Sequence, residues 1–200
     1  MAISTYSELK TAVANWLDRT DLTSRIPEFI ALAEADIRID VRCRAMEALA
    51  SSTLTGETLA FPTRYLEARR LVVNGDVLTY VSPEVYAQMS DASMTQDVYT
   101  VIGESFYILT GASGDTYTLL YWASFAAFSA DADTNWLLTN APGVYLFGTL
   151  KHAALYEQAV GDVNTFAAQY MDAVGRLASR EKQTATSGGP MVQRTAVTER

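Results

Sequence analysis

Cysteine and histidine are almost absent from this 200-residue chain, which holds one of each. Cys43 alone excludes an intrachain disulfide and a cysteine zinc site, and suits folding in a reducing cytosol. Any histidine-based zinc site or Ser-His-Asp triad would have to pass through His152. That residue falls inside a predicted helix beside Leu150 and Ala153 and reads as a structural imidazole. No Gly-x-x-x-x-Gly-Lys-Ser/Thr or Gly-x-Gly-x-x-Gly pattern occurs, and Gly111-Ala-Ser-Gly114 reads as a turn. Neither cofactor nor metal is expected. Long apolar runs are missing too. The longest uncharged stretch, Thr134 to Leu150, is broken by Asn135, Asn140, Pro142 and Gly143, and a membrane span needs about 20 apolar residues. Met1 to Tyr6 shows no basic region before an apolar run, so no signal peptide is expected.

Positive charge is the other shortage. Fifteen Lys and Arg stand against 23 Asp and Glu, a net charge of −8. A surface of that sign repels phosphate backbones, so duplex-DNA binding by the whole surface is not expected. The end of the chain differs. From Ser179 to Arg200 four basic residues (Arg180, Lys182, Arg194, Arg200) outnumber two acidic ones (Glu181, Glu199).

What is present suffices for a packed domain: 49 % of residues are apolar and 19 % charged, a globular and not a disordered balance. Thr5 and Glu8 have capping-box spacing, and Tyr6, Leu9, Val13, Trp16 and Leu17 then recur on one helical face. Asp18 to Asp21 is the expected break. In the second helix Ile26, Phe29, Ile30, Ala33, Ile37 and Val41 form one stripe, with Pro27 in the first turn. Glu34 with Arg38 and Asp40 with Arg44 have acid-before-base spacing, and the helix is expected to reach about Met46.

The period changes from Ala50. Leu71 to Val73, Asn74-Gly75 and Asp76 to Leu78 predict a hairpin, since both turn residues tolerate positive φ. Ser82 opens a short helix to Met89, Val98 to Leu109 folds into a second hairpin about Gly103-Glu104, and Thr116 to Trp122 is a last strand. Helices return with Thr139 or Asn140 as cap and Pro142 in the first turn. One runs to about Val160 on Leu146, Leu150, Ala153 and Ala154, with Tyr145, Thr149, His152 and Tyr156 on a neighbouring stripe. Gly161-Asp162 ends it. The last helix carries Phe166, Tyr170, Ala173, Val174 and Leu177. From Thr184, Thr-Ala-Thr-Ser-Gly-Gly-Pro predicts neither helix nor core.

The expected fold class is α+β, with no internal repeat. Residues 1–50 and 126–183 form a helical bundle of two N-terminal and two C-terminal helices. Residues 51–125 are an inserted small antiparallel β module, and 184–200 an extended C-terminal tail. The helices pair across the insertion because two alone cannot bury their stripes.

Few residues invite chemistry. Arg42 and Arg44 flank Cys43 and would lower its pKa if all three were exposed, but a packed thiol is the simpler reading. Glu28, Glu34, Asp36, Asp40, Asp131 and Asp133 are the carboxylates from which a glycosidase-type pair would be drawn. Asp36 and Asp40, four apart, share a face. Eleven tyrosines and three tryptophans exceed what a small core hides, and such rings favour interfaces. Tyr121, Trp122, Phe125 and Trp136, with Arg38 and Arg42, are the candidate subunit-interface residues.

Thr5-Tyr-Ser-Glu-Leu9, Ile26-Pro-Glu-Phe-Ile-Ala-Leu-Ala-Glu-Ala-Asp-Ile-Arg38, Asn135-Trp-Leu-Leu-Thr-Asn-Ala-Pro-Gly-Val-Tyr145 and Gly148-Thr-Leu-Lys-His-Ala-Ala-Leu-Tyr156 resemble the head-to-tail adaptor proteins of short-tailed bacteriophages (podoviruses). The likeness covers both helical halves and matches the β module in kind. It implies a non-enzymatic virion protein at the head–tail junction, assembled in the host cytoplasm as a homo-oligomeric, dodecameric ring. That ring would sit under the portal protein, receive the tail nozzle protein, and extend a channel through which DNA passes at ejection without specific binding. The acidic charge suits such a channel, and surplus aromatics suit side-to-side contacts. No membrane contact is implied. By position the resemblance sends the tail along the portal, through Ser187, Gly188, Gly189, Pro190, Met191, Val192 and Arg194. Two alternatives stand beside it: another tail or connector component, and a carboxylate-dependent cell-wall hydrolase.

Overall fold

The structure, a computed structural model, describes residues 3–186. It divides into two compact units, residues 1–44 with 127–200 and residues 45–126. The fold is mixed α+β.

In the helical unit, α1 (Tyr6–Leu17) begins at a complete capping box. Thr5 accepts the Glu8 amide and the Glu8 carboxylate accepts the Thr5 amide. The helix ends where Asp18 turns left-handed at φ 49°. A 3-10 turn (Thr23–Arg25) leads into α2 (Ile26–Asp40), whose Ile26, Phe29, Ile30, Ala33 and Ile37 are buried. This helix stops at Asp40, short of the expected Met46. Val41 is extended (φ −101°, ψ 130°), and Val41 and Cys43 are buried on either side of the half-exposed Arg42. That two-residue alternation overrides the helical period. Arg42 closes the helix by donating Nη1 to the carbonyls of Arg38 (2.8 Å) and Val41 (2.7 Å). The expected Asp40–Arg44 pair is therefore replaced: Arg44 meets Glu181 (3.4 Å) and Asp40 accepts from Tyr170 (3.0 Å).

The expected third helix is two. Asn135 caps α4 (Trp136–Asn140) by accepting the Leu138 amide at 2.9 Å, so the cap lies earlier than Thr139 or Asn140. The next helix, α5 (Pro142–Tyr156), follows with Pro142 in its first turn. It ends before Val160, because Gln158 takes φ 58°. Gly161 and Asp162 then sit inside the start of α6 (Val160–Thr186), where an acid complements the helix dipole. The last helix also runs past Thr184, where the tail was expected to begin. Alanine and threonine there continue a helix already propagating, which adds one bond per residue ordered.

The central element is α5. Val144, Tyr145, Leu146, Gly148, Thr149, Leu150, Ala153 and Ala154 are buried on nearly every side of it, and it packs against α1, α2, α4 and α6. Gly148 permits close approach to α2 and α6: a Cβ there would stand 3.3 Å from Ala33 Cβ and 3.3 Å from the Tyr170 ring.

The β module begins earlier than Ser51: a 3-10 turn (Arg44–Met46) leads into β1 (Glu47–Thr53). Then come β2 (Thr58–Ala60), β3 (Tyr65–Val73), β4 (Asp76–Val77), β5 (Thr79–Tyr80), α3 (Pro83–Asp91), β6 (Val98–Ile102), β7 (Ser105–Ile108) and β8 (Thr116–Ala123). They make two four-stranded sheets, ordered β1-β8-β3-β4 and β2-β7-β6-β5. The Asn74-Gly75 hairpin has positive φ at both turn residues and pairs Val73 with Asp76. The module is not wholly antiparallel: β5 and β6 run parallel, a pairing that requires a crossover, supplied here by α3. Leu71, Val73, Phe106, Ile108, Leu119, Tyr121 and Ala123 from both sheets fill one core.

Candidate functional site

The densest polar cluster of the helical unit lies where α2, α5 and α6 meet. One oxygen of Asp36 accepts from Lys151 Nζ at 2.5 Å and from His152 Nε2 at 2.7 Å. One turn on, Asp40 accepts the Tyr170 hydroxyl at 3.0 Å, and the Lys151 ammonium lies 5.0 Å from the centre of the Tyr170 ring. The four-residue spacing that sets Asp36 and Asp40 on one face was legible in the sequence. Their partners, more than a hundred positions away, were not.

Burial pushes the Asp36 carboxyl up, but hydrogen bonds from Lys151 and His152, with the positive charge beside it, hold it below the usual carboxylate range. That is the wrong direction for a general acid, whose pKa must rise toward neutrality. Burial, the Asp40 charge and the bond to Asp40 drive the Tyr170 phenol well up, so it stays a donor. The cluster fastens three helices.

The other candidate carboxylates are also engaged. Glu28 meets Arg25 at 3.3 Å, and Asp131 meets Lys10 at 2.5 Å. Asp133 accepts the amides of Ser129 and Ala130, which draws its pKa down. Glu34 accepts the Phe128 amide at 3.0 Å, and burial raises its pKa against that bond and against Arg38. Tyr145 accepts from Asn135 Nδ2 at 2.8 Å, and burial lifts its pKa steeply. Cys43 is buried. Among the described residues no three of His, Cys, Asp and Glu gather as a metal site, and no helix is long and apolar enough to cross a membrane. A cleft of about 220 Å³ opens between the start of α5 and α6, with Arg176 and Arg180 beside Val144 and Leu177.

The six interface candidates fall in both units. Tyr121 turns inward on β8, only 8 % exposed, its ring 5.9 Å from that of Tyr65. A strand's alternation places it in the core and Trp122 outside, so the surface role expected for Tyr121 is not open to it. Trp122 is half-buried under Arg69, whose guanidinium lies 4.9 Å from its ring and also pairs with Glu47. Phe125 and Trp136 are half-buried, and Arg38 is exposed. The Arg42 guanidinium is engaged on the end of α2. Ser187, Gly188, Gly189, Pro190, Met191, Val192 and Arg194 lie outside the described residues.

Comparison with known proteins supplies what this geometry does not. No curated protein matches the sequence. The SU10 adaptor protein family matches residues 4–194, nearly the whole chain. The chain belongs to the SU10 adaptor protein family, and the likeness to phage head-to-tail adaptors holds across both units.

Proposed function

We propose that this chain is a structural subunit of a phage virion which joins the portal to the tail nozzle as a ring, dodecameric by family resemblance, around the DNA channel. The family match over residues 4–194 carries the reading. The polar cluster is in keeping with it, since its two carboxylates are engaged in tying helices together. In this reading the helical unit is the ring's frame, a bundle whose N- and C-terminal helices close around α5. The β module is an insertion that presents further surface. Trp122, Phe125, Trp136 and Arg38 are the residues available to neighbours. The tail from Ser187 docks along the portal.

Co-expression with a portal protein and a tail nozzle protein tests this. The expected product is a ring-shaped ternary particle, resolved by electron microscopy. Ending the chain at Thr186 should leave helicity unchanged and weaken portal capture by roughly tenfold, about 1.4 kcal/mol. Equal capture by the shortened chain rejects the tail assignment. Absence of any particle with portal and nozzle rejects the adaptor reading.

A further inference from the structure

The edges of the two sheets are unequal. β2, β4 and β5 are edge strands of three, two and two residues. The fourth edge, β1, has seven residues and pairs with β8 without a bulge from Glu47↔Trp122 to Thr53↔Thr116. Its direction of hydrogen bonding follows from the next residue. Leu54 donates to Asp115 and accepts from Gly114, so it faces β8. In an antiparallel ladder every second residue faces the same neighbour. Ser52, Ala50 and Ala48 therefore bond to β8, while Glu47, Leu49, Ser51 and Thr53 turn N–H and C=O outward. Among the described residues nothing meets those outward groups.

Exposed edges of this length are ordinarily blunted by charge, proline or a bulge. β1 has none of these beyond Glu47, which is tied to Arg69. Leu49 is 66 % exposed. On the inward face, the strand's half-buried residues against the core are Ala48 and Ala50, opposite Tyr121 and Leu119. The core thus ends in two small side chains, leaving room for larger apolar ones on a further strand.

Resting on the adaptor reading, we propose that β1 is a docking edge. An extended segment of a different virion protein adds beside it as a fifth strand, with apolar side chains at alternate positions and no acidic residue facing Glu47. A second copy of this chain fits less well. Among the described residues its other edges are too short to match seven residues, and pairing β1 with β1 makes a two-fold contact that closes as a dimer and cannot propagate a ring. Main-chain bonds would supply affinity and the alanine floor would select the side chains.

The test uses the full chain, alone and in particles with portal and nozzle. Hydrogen exchange at Leu49, Ser51 and Thr53 is expected to be fast in the free chain and slowed in the particle. Ser51→Pro removes one outward N–H and no bond to β8, so it should keep the wild-type circular dichroism while incorporation falls roughly tenfold. Exchange is read on the wild-type chain, so it decides the matter even where the proline variant folds poorly. Unslowed exchange in a particle that the wild type does enter overturns the docking edge and leaves the adaptor reading standing. Slowed exchange in the purified chain as it dimerises overturns the choice of partner in favour of a second copy. Loss of slowing on removal of residues 187–200 overturns it in favour of the chain's own tail. Failure of the wild type to enter any particle sinks the adaptor reading and this inference together.

Discussion

In the helical unit polar ties span long stretches of chain: Lys10 to Asp131, Arg19 to Glu157, Glu34 to Phe128, Asp36 to Lys151 and His152, Asp40 to Tyr170, and Arg44 to Glu181. The last four start from α2 or the residues just after it. The ties of the β module, Asn74 to Asp115 and Arg69 to Glu47 among them, lie at its exposed surface. Its interior is a run of rings, Phe61, Tyr65, Tyr99, Phe106 and Tyr121, with centroids 4.0 to 5.9 Å apart. Helices leave their side chains to specify which partner is met and at what register, and directed hydrogen bonds do so sharply. Strands already have register from their backbones, so a module built on them can fill its centre with shape alone. The contrast predicts that the two units fail under different insults.

The largest separation should come from Phe106→Ala. Phe106 is fully buried and touches the rings of Phe61, Tyr65 and Tyr99. Its loss should cost the β module about 3–5 kcal/mol, while hydrogen exchange in α2 and α5 stays as in the wild type. Equal loss of protection in both units would show that they unfold as one.

Asp36→Asn makes the converse cut. It leaves Lys151 and His152 facing a neutral amide, at an expected cost of about 2 kcal/mol to the helical unit. It should also remove an acid sensitivity. The folded chain holds Asp36 below its unfolded range, so its contribution is present above the unfolded pKa of about 4 and lost as pH falls through the lower folded value. Thermal melts between pH 5 and pH 2 should decline less steeply in the variant. Parallel declines would refute the role given to Asp36.

Glu34→Gln is the finest probe. Burial raises the Glu34 pKa, so its contribution is greatest below the unfolded value and is lost as pH rises through the folded one. Glutamine keeps the acceptor for the Phe128 amide without the charge. The variant should match or exceed wild-type stability at pH 7, by up to about 1 kcal/mol. A clear loss would mean that the charge itself is needed.

Local chemistry made parts of this architecture readable in advance. Thr5 with Glu8 announced α1, and Asn74-Gly75 announced a hairpin, because each acts on residues within a few positions. The end of α2 was hidden because it depends on which sides of Val41 and Cys43 are buried, a matter settled by distant segments. The break between α4 and α5 was misread because Asn135 and Asn140 are equally good caps on paper, and only Asn135 has the extended backbone of one. Strands as short as β2 and β5 carry too few residues to show a period, and exist because β7 and β6 lie beside them. At the polar cluster one wall was visible, the Asp36 and Asp40 face. Lys151 and His152 looked like ordinary helix residues until a carboxylate was set opposite them.

The central place of α5 governs the order in which the chain can fold during synthesis. α1 and α2 leave the ribosome first, but the helix that covers their apolar faces is encoded after the whole of residues 45–126. The β module has its own core and can close as soon as β8 emerges. The opening helices must wait, greasy side outward, through the translation of an entire neighbour. A nascent chain halted near residue 130 should therefore bind trigger-type chaperones through its first forty residues and release them once α6 is made.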